Sequence, residues 1–142
     1  MKKHVVILFT IVLISIVSFT SCEPFIENKI TIENRSLGTV FVNLKAAKYT
    51  INSGDVLVLN DFDRGEYDFE TTYSVPIACN TSTAEGDVAG TMNLIGGTEI
   101  YLLYSYGVTG SGDNITYILY GSMTSSDDVK RVDPFGDNTG GN

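Results

Sequence analysis

Apolar and polar residues alternate with a period of two along most of the chain after Lys29, which is the pattern of half-buried β-strands. The clearest example runs from Glu66 to Tyr73, where acidic residues on one side alternate with aromatic residues and threonine on the other. We therefore predict an all-β domain in which most strands have one solvent-exposed face and one face buried in the core. Similar strands are predicted around residues 30–33, 40–44 and 49–51.

Other segments lack this alternation. Residues 56–59 read VLVL, are apolar on both faces and are predicted to be covered on both. The apolar runs at 98–106 and 115–120 are predicted to pair in the middle of a sheet, across a glycine-rich loop at 107–114. Residues 88–94 form a weaker strand, because Gly90 and Asn93 fit poorly in a sheet interior.

Turn residues divide these strands. Asn52–Asp55 and Gly96–Gly97 are predicted as hairpin turns, and a slip in the alternation at Ala46–Ala47 indicates a further turn. Residues 74–87 are predicted to form a long loop with at most a short edge strand. If the strands alternate in direction, the turns near 46–47, 60–65 and 96–97 share one end with the N-terminal segment. The turns at 35–38 and 52–55 and the loops 74–87 and 107–114 share the other.

The first residues have the design of a secretory signal. Lys2 and Lys3 form a positive head, and residues 5–19 are apolar apart from Thr10, Ser15 and Ser18. Fifteen residues are short for a membrane span, which needs about 20, and typical of the central part of a signal peptide. The alternative is an uncleaved N-terminal anchor.

Phe19-Thr20-Ser21-Cys22 follows this run and resembles the lipobox of bacterial lipoproteins, although Phe19 stands where that family most often has leucine. The resemblance implies that residues 1–21 are removed and that Cys22 becomes the lipidated first residue. Residues 22–28 are then a tether that spans at most about 20 Å from the membrane. Glu23 and Glu27 resemble, sparsely, the acidic surface-export signal of lipoproteins in gut Gram-negative bacteria.

Gly65-x-Tyr67-x-Phe69 leading into a strand resembles a late strand of immunoglobulin-like and transthyretin-like sandwiches. The resemblance covers residues 30–73 and implies a fold, not an activity. We predict a single antiparallel β-sandwich of about 7–8 strands over residues 29–124. Residues 125–142 are predicted to be a polar, acidic and mostly disordered tail.

The chain is acidic, with nine Lys and Arg against seventeen Asp and Glu. Two of the bases, Lys2 and Lys3, lie in the leader and all of the acids follow it, so the chain after Ser21 has a net charge of −10. Nucleic acid is an unfavourable partner for such a surface. Solubility accounts for the acidity, and a basic protein partner or a divalent cation is the more specific interpretation.

Groups for catalysis are few. If Cys22 is lipidated, Cys79 has no cysteine to pair with, and it is either a small buried side chain or a free thiol. The single histidine, His4, leaves with the leader and so cannot activate a cysteine or serine. The carboxylates Glu66, Asp68 and Glu70 suit a solvated strand face better than a glycosidase site. The tyrosines of the last two strands are interpreted as core and cross-strand packing before a sugar-binding platform.

The clustered loops of the end away from the N-terminal segment are the predicted interaction surface, since sandwich proteins commonly bind through end loops. A calcium site is a weaker alternative, with ligands from the distal loops or from Asp61 and Asp63, which lack the third ligand and the glutamate of an EF-hand loop. The candidate interaction residues are Asn80, Glu85, Asp87, Asp113 and Asn114.

These observations predict a lipid-anchored binding, assembly or scaffold module of the cell envelope, placed at the outer membrane on its periplasmic face or at the cell surface, with no cofactor and no catalysis of its own. Its partners would be the membrane, through Cys22, and another envelope protein. One alternative is a membrane-tethered inhibitor or immunity-type protein that binds a basic partner. The other is a minimal serine-based envelope hydrolase, for which the sequence has no Gly-x-Ser-x-Gly turn.

Overall fold

The computed structural model of the protein describes residues 27–112 and 114–130. This part of the chain forms nine strands and one short helix, and none of its helices is long and apolar enough to cross a membrane. The strands are β1 (Asn28–Asn34), β2 (Val40–Leu44), β3 (Ala47–Ile51), β4 (Val56–Phe62), β5 (Gly65–Tyr73), β6 (Thr81–Gly86), β7 (Ala89–Leu94), β8 (Glu99–Ser111) and β9 (Asn114–Ser125). The helix, α1 (Ser126–Lys130), lies at the start of the segment predicted as a tail.

The strands form an all-β sandwich of two sheets that share one hydrophobic core. The five-stranded sheet has the order β4-β1-β8-β9-β6, and the four-stranded sheet has the order β3-β2-β5-β7. The pairing is antiparallel except at β1–β8 and β6–β9, which are parallel, whereas the sequence predicted antiparallel strands only. The fully buried side chains come from both sheets and include Ile30, Ile32, Val40, Val42, Leu44, Met92, Leu102 and Leu119.

The strands predicted from strict alternation have the predicted faces. In β1 and β2 every second residue is buried, and in β5 the acidic side chains are exposed while Phe69 is buried. The slip at Ala46–Ala47 is a tight turn between β2 and β3, in which Lys45 and Ala46 both have positive φ. A period of two in a strand with one wet face is therefore sufficient to assign the core side of that strand.

Both predicted glycine hairpins are wrong. The turn at 52–55 joins β3 of the four-stranded sheet to β4 of the five-stranded sheet, and the turn at 95–98 joins β7 to β8 across the sandwich in the same way. Gly54, Gly96 and Gly97 do have the positive φ that the prediction required. The glycines permit a sharp reversal, but they do not determine whether the two strands pair with each other.

The prediction that residues 56–59 are covered on both faces is also wrong. β4 is an edge strand, and Val56 and Val58 are 56% and 49% exposed on its outer face. Leu57 and Leu59 pack against the core from the other face. A continuous apolar run is typical of a buried strand, but in β4 it lies on an edge that no described strand covers.

The chain crosses between the sheets twice around the segment predicted as the loop 74–87, from β5 of the four-stranded sheet to β6 of the five-stranded sheet and back to β7. Residues 81–86 form β6, which pairs with β9, and two residues later the chain enters β7 in the opposite sheet. Gly86 and Gly121 face each other at this crossing, where a Cβ on Gly86 would lie 2.2 Å from the carbonyl oxygen of Gly121. Glycine is required because the two backbones approach too closely for any side chain.

The strand directions sort the turns onto two ends as predicted. The N-terminal end, where β1 begins, carries the turns at 45–46, 63–64 and 95–98 together with α1. The distal end, where β1 finishes, carries the segments 35–39, 52–55 and 74–80 and the turn after Ser111. Residues 81–86 and 107–111, which were predicted to be loop, belong instead to strands β6 and β8.

Two buried asparagines, one at each end of β1, hold these turns. Asn28 donates to the carbonyl oxygen of Phe62 and accepts from the backbone N–H groups of Gly96 and Thr98. At the distal end, the side chain of Asn34 makes four hydrogen bonds: it donates to the carbonyl oxygens of Gly38 and Ile51 and accepts from the N–H and hydroxyl of Ser36. Each amide therefore replaces water for backbone groups of turns that would otherwise be unpaired.

Tyr104 lies fully buried in the middle of β8, and its hydroxyl is 2.7 Å from Oγ1 of Thr71 in the other sheet. Burial raises the pKa of Tyr104 from 10.0 to about 12, because the phenolate would lose its hydration. The folded protein thus favours the protonated phenol. The stabilisation that the protonated phenol of Tyr104 gives the folded state is complete below pH 10 and is lost as the pH rises from 10 towards 12.

We expect ionisation of Tyr104 to remove about 1.4 kcal/mol of folding free energy by pH 11. The measurement is urea unfolding at pH 8 and pH 11 for the unmodified protein and for Tyr104→Phe. The variant keeps the ring but has no proton to lose, so its stability should fall less between the two pH values. An equal fall in both proteins would contradict the assignment.

Candidate functional site

The most prominent feature of the distal end is a hairpin of β8 and β9 that extends beyond the end of β1. β8 pairs with β1 only as far as Tyr104, while its pairing with β9 continues to Ser111. Residues 105–111 and 114–120, called the arm here, therefore project about 23 Å past the end of β1. β6 lines the β9 side of the arm, and no described strand lines the β8 side.

The local sequence explains why the arm is a pair of strands, although its glycines led to the prediction of a loop. Gly107 lies in β8 beneath the ring of Tyr120, where an added Cβ would be 3.0 Å from the ring. The ring thus covers the backbone that a glycine leaves bare. Gly110 has a φ of +99°, and its Cβ would lie 1.9 Å from the carbonyl oxygen of Asn114, so it allows a bend near the tip.

Tyrosines pack along the inner face of the arm. Tyr117 is fully buried, with its ring 5.9 Å from that of Tyr73 in the other sheet and 6.1 Å from the stacked ring of Tyr106. Tyr106 and Val108 lie on the core-facing side of β8, but they are 42% and 49% exposed. The predicted core role holds for Tyr104 and Tyr117, whereas Tyr106 is at the surface.

The segment 74–80 brings more apolar surface to the same end. Val75 is exposed and Ile77 is fully exposed, while Cys79 is a half-buried free thiol that packs against the core. The segment is fixed at its end by the N–H of Asn80, which donates to the carbonyl oxygen of Ile115 in β9. Val75, Ile77, Tyr106 and Val108 are called the distal apolar patch below.

The predicted interaction residues are only partly brought together. Asn80 and Asn114 lie near the tip of the arm, since Asn80 bonds to the residue after Asn114. Glu85 lies opposite Tyr120, roughly 20 Å along β9 from the tip. Asp87 is at the sheet crossing, where its carboxylate accepts from the N–H of Met123. Asp113 and Cys22 lie outside the described residues.

Carboxylates do not converge on a cation site in the described part of the chain. Asp61 and Asp63 are exposed at the N-terminal end, far from the distal acids, and Asp61 has a φ of +64°. No group of three His, Cys, Asp or Glu residues among residues 27–112 and 114–130 has the spacing to hold a metal ion. The structure separates Glu85 and Asp87 from Asn114, which the calcium hypothesis required to lie together.

The acidic stripe Glu66, Asp68 and Glu70 lies on the outer face of the four-stranded sheet, exposed to solvent. Uncharged residues of the neighbouring strands pair with it, and Asp68 accepts a hydrogen bond of 2.7 Å from Thr91. None of the three forms a salt bridge with a described residue. The stripe is an open negative surface.

Sequence reasoning missed the distal apolar patch. The alternation of side chains along β8 indicated two of its residues, because Tyr106 and Val108 fall on the same side of the strand as Leu102 and Tyr104. Gly107 and Gly110 obscured it by indicating a loop. Compared with known proteins, the chain matches no family model and no curated protein at a significant level.

Proposed function

We propose that the protein is a lipid-anchored binding module of the cell envelope that captures another envelope protein through its distal end and performs no catalysis of its own. The observation that supports this most directly is the arm, which carries exposed Tyr106 and Val108 beyond the end of β1. An apolar surface exposed in water is unfavourable in a monomer and typical of an interaction site. Tyrosine is also enriched where proteins bind one another.

The polarity of the fold fits this proposal. β1 begins at the N-terminal end, so a tether attached to Cys22 would hold that end against the membrane and direct the arm away from it. Residues 22–28 span at most about 20 Å, which keeps the sandwich close to the bilayer. The arm adds about 23 Å of reach in the opposite direction. The similarity to bacterial lipoproteins with immunoglobulin-like or transthyretin-like domains suggests the same placement, at the outer membrane.

We expect the double variant Tyr106→Ser/Val108→Ser to capture at least ten-fold less partner from host envelope extract than the unmodified protein. Loss of two half-exposed apolar anchors at an interface removes about 2–4 kcal/mol of binding. The measurement is a quantitative pull-down with the immobilised protein. The matched control is Ile95→Ser, which removes an equally exposed apolar side chain at the N-terminal end. Unchanged capture by the double variant, with the control also unchanged, would refute the proposal.

A second candidate is a tethered inhibitor that binds a basic protein, and the unneutralised acidic stripe favours it. The same pull-down discriminates between the two. Capture that falls in the variant Glu66→Gln/Asp68→Asn/Glu70→Gln and weakens steeply with salt, but persists in the double variant, would assign binding to the stripe.

A further inference from the structure

The outer strands of the two sheets are not equally protected. β3 presents Lys48 on its edge, β6 is polar and contains Glu85, and β7 contains Gly90 and Asn93. Charged residues, short length and glycine are common devices that prevent an edge from pairing with another chain. β4 differs, because residues 56–60 read VLVLN and include no charge, proline or glycine.

The backbone of β4 is open toward solvent over this uncharged segment. The N–H of Asn34 in β1 donates to the carbonyl oxygen of Asp55, so Asp55 and every second residue after it point their backbone groups at β1. The N–H and C=O groups of Val56, Val58 and Asn60 therefore point away from β1. No strand of the described chain pairs with that side.

The charges at the two ends of this segment limit which strands can pair with β4. Exposed carboxylates stand at both ends of the uncharged segment, Asp55 at the start of the strand and Asp61 near its end. Asp55 accepts a hydrogen bond from the amide of Asn52, and the positive φ of Asp61 with the register shift beside it ends the regular part of the edge. The segment is an apolar strand bounded by two negative charges.

A second copy of the chain fits this edge poorly. The antiparallel register that pairs the open groups of Val56, Val58 and Asn60 in both copies is centred on Val58. It sets Asp55 of each copy opposite Asp61 of the other, and like charges directly opposite each other destabilise a strand pair. The chain is acidic overall, with a net charge of −8, which adds to the repulsion.

We propose that the β4 edge is a second interaction surface, which accepts an extended strand of another protein with alternating apolar residues in its centre and a basic residue at each end. The incoming strand would extend the five-stranded sheet by one. Its backbone would bond to the groups of Val56, Val58 and Asn60, and its outward apolar side chains would pack beside the two valines. Because β4 is acidic at both ends, a parallel and an antiparallel strand satisfy the charge requirement equally.

The probe for this surface is an eight-residue peptide of alternating valine and threonine with a lysine at each end, compared with the same peptide carrying a glutamate at each end. We expect the lysine peptide to bind in a fluorescence anisotropy titration at least ten-fold more tightly than the glutamate peptide. Amide hydrogen exchange followed by NMR should show new protection at Val56 and Val58. Val58→Lys should weaken binding at least ten-fold, since a lysine on an edge repels the basic strand and breaks the apolar surface.

The matched control is Ile95→Lys, which places the same charge at a comparably exposed apolar residue outside both proposed surfaces and should change the affinity less than two-fold. Equal affinity for the two peptides, no binding of the lysine peptide, or equal weakening by both lysine variants would overturn the proposal. So would sedimentation showing a dimer of the unmodified protein that Val58→Lys separates, since the edge would then belong to a second copy.

Discussion

Replacing Leu102 with alanine is expected to lower the free energy of unfolding by about 3–4 kcal/mol, because the substitution opens a cavity between the two sheets. Leu102 is fully buried on β8, the central strand of the five-stranded sheet, and lies beside Ile32 of β1 and Met123 of β9. Neighbours held by strands on both sides have little freedom to close the space. The measurement is urea unfolding at neutral pH, with the midpoint followed by circular dichroism.

Leu37→Ala is the matched control for this substitution. Leu37 is 52% exposed in the distal segment 35–39, so its truncation should change the stability by less than about 0.5 kcal/mol. A loss below about 1 kcal/mol for Leu102→Ala would contradict the packing of the two sheets around this residue.

Asn34→Ala is expected to cost about 3 kcal/mol, although it removes only a few atoms. The alanine leaves the carbonyl oxygen of Ile51 and the N–H of Ser36 without the partner that the side-chain amide provides, and it leaves the carbonyl oxygen of Gly38 with only the hydroxyl of Ser36. Buried polar groups left unpaired cost about 1–3 kcal/mol each when water does not reach them. Urea unfolding measures the loss, and Asn93→Ala, at an exposed position of β7, is the control.

Asn34→Asp distinguishes hydrogen bonding from simple space filling. Aspartate has nearly the same shape and keeps the acceptor for Ser36, but it loses both donors and places a charge beside two carbonyl oxygens. It should destabilise the protein at least as much as alanine does at pH 7. A variant as stable as the unmodified protein would show that the donors of Asn34 contribute little.

The core residues could be predicted in strands that have one solvent-exposed face. The alternation in β1, β2 and β5 identified the core residues Ile30, Ile32, Val40 and Phe69 correctly, because each strand carries that information within itself. The pairing of residues 98–106 with 115–120 was predicted correctly and is that of β8 with β9. The other strand neighbours could not be predicted, since the glycines of the turns at 52–55 and 95–98 indicate the local φ and not the partner strand. For the same reason the apolar run of β4 did not reveal that it lies on an edge.

The two buried asparagines show a further limit. Asn28 was placed in the predicted tether and Asn34 directly before the predicted turn at 35–38, and asparagine is common in such segments. The structure buries both, because each amide satisfies backbone groups from segments distant in sequence.

The order of the turns placed the segments 35–38, 52–55 and 74–80 at the distal end, as the structure has them. The exposed apolar residues Tyr106 and Val108 of that end were not predicted, because Gly107 and Gly110 indicated a loop.

The parallel pairing of β1 with β8 has a consequence for the synthesis of the chain. Lys29 and Glu99, whose side chains form a salt bridge across these strands, are 70 residues apart. At a translation rate of about 5–20 residues per second, β1 is synthesised roughly 4–14 seconds before β8, its neighbour at the centre of the sheet. Over that interval the side of β1 that β8 later covers is open, so this topology leaves an apolar strand unpaired on one side in the nascent chain until β8 is made.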